Sequence, residues 1–190
     1  MTSNTVSRSA HDLGLSAWFG GTLANAVALN AAAGATSRHS DAGAVANAGW
    51  DRWTPVNAAA IGLHLAGSVA QLNANSDRIA AQSGVATMAA VKTGLTVASL
   101  AATGYSRILG RRISAEGDVP VDSGTEPTTL TPDHVAKAQR QLKALQWVIP
   151  ALTGALVVVS AFAGEQQRAS EVKKGIGRRF LEAAPLVGSR

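Results

Sequence analysis

Four long apolar stretches, each interrupted by polar residues at helical spacing, organise the chain. They lie at 13–35, 54–74, 84–109 and 145–164, and each provides the about 20 mainly apolar residues that carry a helix across roughly 30 Å of hydrocarbon. Between them the sequence is polar. Residues 36–52 hold Ser, Asp, Arg and His, 75–82 is short, and 110–143 carries Pro120, Pro127 and Pro132 with Glu116, Asp118, Asp122, Glu126 and Asp133; these segments are expected to be loops. The pattern predicts an all-α integral membrane four-helix bundle, antiparallel and up-down, over 13–164. A polar tail, 1–12, precedes it, and a basic juxtamembrane tail, 165–190, follows.

The polar residues inside the spans fall into stripes. His11, Trp18, Thr22 and Asn25 share one face of the first helix, and Asn57, His64, Ser68, Gln71 and Asn75 share one face of the second. Lys92, Thr96, Ser99, Thr103 and Ser106 repeat this on the third, and Gln146, Pro150, Thr153, Ser160 and Gln167 on the fourth. A polar group in lipid must find a partner, so the stripes are expected to face one another across an intramembrane seam that includes Asn25, Asn57, His64, Gln71, Lys92, Thr96 and Ser99. Most of these side chains read as interhelical hydrogen-bond donors and acceptors. Small residues are expected to let helices approach closely, through the Gly62 and Ala66 pair and the Ala90, Gly94, Ala98 and Ala102 ridge.

Lys92 and His64 carry the candidate chemistry. Lys92 falls near mid-bilayer, and no span offers a central carboxylate to pair with it. Three resolutions are open: a neutral amine, a water-filled cavity, or an anionic group supplied by a ligand, lipid or second subunit. Counting back from the short connection between the second and third helices puts His64 at a depth similar to that of Lys92. His64 fits a proton relay, a metal or haem ligand, or a hydrogen-bonded core imidazole. His11 stands at the mouth of the first helix, about 16 Å from the depth of His64 at 1.5 Å per residue, which argues against paired axial ligation. His39 and His134 are expected to be solvated.

Composition narrows the classes. There is no cysteine among the 190 residues, which removes disulfides, thiolate zinc sites and cysteine nucleophiles. Only 15% of residues are charged against 46% hydrophobic, and the aromatics are few, so a water-soluble core would have to be built from Ala; a soluble Ala-rich bundle is the rival fold. Mean hydropathy is just +0.11, diluted by loops and tails. Trp50, Trp53, Tyr105 and Trp147 fall at one membrane side if all four runs span, as an aromatic belt does. Apart from Lys92, the 17 bases divide evenly between the sides, so the lean to cytoplasmic termini at the cell membrane rests on the basic tail. There Arg168, Lys173, Lys174, Arg178 and Arg179 alternate with Val172, Ile176 and Phe180, a pattern suited to anionic lipid headgroups rather than nucleic acid. Asn30-Ala-Ala-Ala-Gly-Ala also reads as a small-residue cleavage site, which would make 1–35 a signal peptide. No G-x-x-x-x-G-K-[ST], G-x-S-x-G, H-E-x-x-H or G-x-G-x-x-G is present, and no metal site is expected in the acidic loop.

The segment His11-Asp-Leu-Gly-Leu-Ser-Ala-Trp18-Phe-Gly20-Gly21 resembles the first-helix signature of small bacterial membrane families. Among them are CopD-like copper-resistance proteins, a four-span family of unknown function and, more loosely, HemJ-type protoporphyrinogen oxidases. Overall texture, with Ala163-Gly164-Glu165-Gln166-Gln167-Arg168 after the fourth span, is most similar to four-span proteins of mycobacteria and other actinobacteria. The resemblance implies a four-span fold, and for its larger families copper handling or haem-dependent chemistry at the position of His11. Two Met and no Cys argue against soft copper ligation. The basic and aromatic residues that follow the Gly-Gly pair in the HemJ type are missing.

The expected role is a non-enzymatic envelope scaffold, partner or small carrier without a cofactor, with a second copy or another membrane protein as its candidate partners. Two alternatives stay open: a haem- or quinone-linked redox protein using His11 or His64, and a small transporter or proton pathway using Lys92 and His64.

Overall fold

The computed structural model describes residues 2–165, and these form an all-helical fold. Helix α1 (Thr2–Ala24) continues through a π-helical turn (Asn25–Leu29) into the short α2 (Asn30–Ala33). It is followed by α3 (His39–Ala74), the single-turn α4 (Ser76–Ala81), α5 (Ser83–Ser114) and α6 (Asp133–Glu165). The long helices overrun the apolar stretches that mark them in the sequence. Helix α1 begins eleven residues before position 13, within the expected polar tail, and α3 begins at His39 in an expected loop. The reason is local: 42–48 is rich in Ala, the strongest helix former. Asp41 and Asp133 stand in the first turns of α3 and α6, and Arg111 and Arg112 in the last turn of α5, each on the favourable side of the helix dipole.

Helices α1 and α3 meet in opposite sequence directions, with Ser7 beside Gln71 and Gly21 beside Trp53. Helices α1 and α3 pack along their length, α6 crosses onto α1, and α5 packs on α6, while α3 and α5 barely meet. The closest approach is between α1 and α3. A Cβ on Gly14 would collide with the Ala60 carbonyl and the His64 amide, and one on Gly67 would collide with the His11 amide and the Ser7 carbonyl. Backbone therefore rests on backbone. The expected small-residue contacts lie elsewhere: Gly62 and Gly94 face open space, and Ala66 and Ala90 are exposed. The sequence rule asks only for small residues, and in so Ala-rich a chain it does not identify which of them face a neighbour.

The connection 115–132 is folded down onto the bundle end rather than solvated. Val121 is buried, its amide donates to the His39 carbonyl, and Val121 and Pro127 form an antiparallel bridge. Thr131 donates to the Pro120 carbonyl at 2.6 Å, and Gln139 of α6 donates to the Ser123 carbonyl. Lys143 meets Glu126 at 2.6 Å, and His39 and His134 pair with Asp122 and Glu116 at 3.1 Å.

Among the described residues two helical segments, Ser83–Ser114 and Asp133–Gly164, are long and apolar enough to cross a membrane; 13–35 and 54–74 do not reach that measure. The His, Asn and Gln side chains of the α1 and α3 stripes are more hydrophilic than the Ser and Thr that predominate in the α5 stripe, and this lowers the hydropathy of α1 and α3. If backbone contact sets the α1–α3 spacing, Gly14→Ala and Gly67→Ala should each lose about 1–3 kcal/mol in detergent-solubilised unfolding experiments, with Gly62→Ala unaffected. Equal behaviour of all three variants would refute that contact.

Candidate functional site

The stripes of the sequence meet in the interior. None of the polar stripe residues among those described is exposed, and Trp18, His64, Ser99 and Thr153 are fully buried. Two modes of satisfaction recur. Hydroxyls of Thr22, Ser68, Ser99 and Thr153 donate to the carbonyl one turn back on their own helix, at 2.8–2.9 Å. Asn25 does the same with its amide to the Gly21 carbonyl. Others bridge helices: Trp18 Nε1 donates to Thr103 of α5 at 3.3 Å, and Gln71 Nε2 to the Ser7 carbonyl of α1 at 3.5 Å. Asn57 is buried with its Oδ1 unpartnered.

His64 sits at the centre. Its Nδ1 faces the His11 carbonyl and its Nε2 the Thr96 hydroxyl, both at 3.4 Å, and Trp18 packs 6.1 Å away between ring centroids. His11, expected well away from it, is in ring contact at 4.5 Å. The correction follows from the helix start: with α1 helical from Thr2, position 11 lies inside the bundle, not at its mouth. His11 Nδ1 also meets Asp12 at 2.7 Å, while its Nε2 is buried without a partner.

The first-helix signature now has a structural reading. His11 and Trp18, seven residues apart, both close on His64, and Gly21 leaves the space that the Trp53 ring fills. The haem implied by the resemblance does not fit. Two imidazoles in contact leave no room for a macrocycle between them, and neither described cavity is lined by a histidine. Among the described residues no three His, Asp or Glu side chains gather as a metal site.

One partner set was missed in the sequence. Asn30 is buried, donating to Gln146 of α6 at 2.8 Å and accepting from Trp50 of α3 at 3.2 Å. Five residues separate it from Asn25, which on a regular α-helix places the two on different faces. The π-helical turn adds about one residue per turn, so it returns Asn30 to the inner face. Only a search at that longer period would have placed it.

Lys92 stands on the α5 stripe one turn from Thr96, at the edge of a cleft of about 840 Å³ between α3 and α5. The ammonium has electrostatic company in Asp12 and Arg8, yet among the described residues no carboxylate pairs with it within 4 Å. The expected headgroup residues Arg168, Lys173, Lys174, Arg178 and Arg179 lie outside the described residues, as does Gln167.

No protein family, curated protein or solved structure matched the chain on comparison. His64→Leu should therefore be judged on stability first: leaving the Thr96 hydroxyl and His11 carbonyl without the ring costs about 1–3 kcal/mol, against about 0.6 kcal/mol for Thr96→Val. Denaturant titration in micelles measures both, and a wild-type midpoint for His64→Leu would remove the imidazole from the packing account.

Proposed function

We propose that the chain is an integral membrane protein whose four long helices span the bilayer, and that it serves as a small non-enzymatic carrier in the cell envelope. The observation that carries this reading is the distribution of polarity. His, Asn, Gln, Ser and Thr fill the interior beside Ala and Leu, while Val27, Val69, Val97, Val158 and Phe162 face outward. Just 6% of the most apolar stretch of α5 and 22% of that of α6 is buried in the fold. A core helix of a water-soluble domain shows the reverse, and outward apolar surface on this scale calls for a non-aqueous surrounding. Helices α1 and α3 share the reading because their polar sides are turned to each other, and within 13–24 and 54–74 the exposed positions are Ala, Gly, Leu, Val and Pro apart from Ser16 and Asn73.

A carrier is favoured over a scaffold because the bundle is parted on one side, where a half-buried amine borders an open cleft. The aromatic residues support the placement. Trp50 joins Asn30 and Gln146, Tyr105 donates to Gln141 at 2.6 Å, and Arg107 meets Asp51 at 3.2 Å, so these groups lie near one level of the bundle.

The cysteine-free sequence allows a direct test. Single cysteines at Val97 and Val158, which are 58% and 54% exposed, should stay unlabelled by a membrane-impermeant maleimide in intact proteoliposomes made permeable to both faces by transient pores. A cysteine at Asp118 in the connecting segment should label fully. Labelling at all three, or release of the protein by alkaline carbonate, would overturn the membrane reading.

A further inference from the structure

The cleft between α3 and α5 has a composition that points to its occupant. Its walls are apolar, with Leu65, Val69 and Leu72 on α3 and Met88, Val97 and Leu100 on α5. Two cations, Arg78 and Lys92, border it, and among the described residues no Asp or Glu does. Polar neutral groups, Ser68, Gln71 and Thr96, gather around the level of Lys92. The carboxylate in electrostatic reach of Lys92, Asp12, stands outside the cleft lining and also meets His11 at 2.7 Å. The volume, about 840 Å³, is within the range of small-molecule sites. The cleft follows α5 from Ser83 to Leu100, roughly 25 Å at 1.5 Å per residue, with Lys92 about midway.

We propose that this cleft is a lateral binding site for a single-chain anionic amphiphile, its acid head on the Lys92 ammonium and its hydrocarbon chain against Leu65, Val69, Val97 and Leu100. The inference rests on the membrane-carrier reading, whose substrate class it names. An anion adds to the compensation of a charge that within the described residues meets only the electrostatic reach of Asp12, with the second N–H of the Gln71 amide as an additional hydrogen-bond donor to the acid oxygens. The chain replaces lipid tails along the parted helices and needs no polar partner. The head chemistry is shared by a fatty carboxylate and a long-chain phosphate monoester.

The full chain in phosphatidylcholine nanodiscs, prepared from carbonate-washed membranes, is titrated with a fluorescent palmitate. Displacement is then measured with palmitate, hexadecyl phosphate and hexadecanol. Either acid should displace the probe about ten- to a hundredfold better than the alcohol, which carries the same chain without the charge. The stronger of the two acids identifies the source, carboxylate or phosphate. Lys92→Gln should abolish the preference for the acids, and Lys92→Arg should keep it. A diazirine-bearing palmitate should crosslink to peptides containing Val69 and Val97. Equal displacement by acid and alcohol, an unaltered Lys92→Gln, or crosslinking confined to the outer face around Phe162 would each overturn the proposal. Recovery in the carbonate pellet is scored separately, so a failure of the membrane reading is distinguishable from a failure of the site.

Discussion

The contact of backbone on backbone at Gly14 and Gly67 governs the interior of this protein. With α1 and α3 that close, the side chains between them have little room, and the large ones that fit must interlock. His11 lies against His64, Trp18 closes over the same imidazole, and the Trp53 ring occupies the space above Gly21. Polar groups confined in this way cannot reach water. They turn instead to carbonyls one turn back or to the facing helix, so the seam is satisfied locally rather than by a continuous hydrogen-bonded wire. On the proposed membrane placement such a seam specifies register more than it adds stability, because each interhelical hydrogen bond in a bilayer contributes little.

The same packing divides the bundle into two unequal pairs. Helices α1 and α3 present polar sides to each other and approach closely, whereas the most apolar stretches of α5 and α6 lie largely on the outside of the fold. Helix α6 joins the pairs through Asn30 with Gln146 and through Gly154, which receives the Phe19 ring. Nothing comparable joins α3 to α5 below the His64–Thr96 and Asp51–Arg107 contacts. The cleft is therefore a product of how the pairs associate, and Lys92 stands where the two polar stripes diverge.

Much of this was legible in the residues. The seven, four and three spacing of His11, Trp18, Thr22 and Asn25 is a helical period, and such a period in an otherwise apolar run has a single inner face, so the seam could be read before any coordinates. The depth of His64 relative to Lys92 followed from their shared short connection. What escaped had physical causes. Hydropathy marks where a helix is apolar, not where it begins, so the Ala-rich start of α3 and the polar start of α1 were read as loop and tail, and His11 was set too far from His64. Asn30 escaped because a π turn alters the period on which the reading depends. The acidic connection looked solvated because its order comes from non-local partners such as His39, Gln139 and Lys143. Glycines in close contact could not be told from the others by spacing alone.

The two ends of the bundle are fastened differently. At one, residues 115–132 are clasped by backbone bonds, hydroxyls and ion pairs to α3 and α6. At the other, α3 passes into α5 through six residues of α4 without a buried side chain among them. Thermal motion will concentrate at the loosely tied end, so the parted helices behave like tweezers gripped at the clasp, with their tips free to widen or narrow.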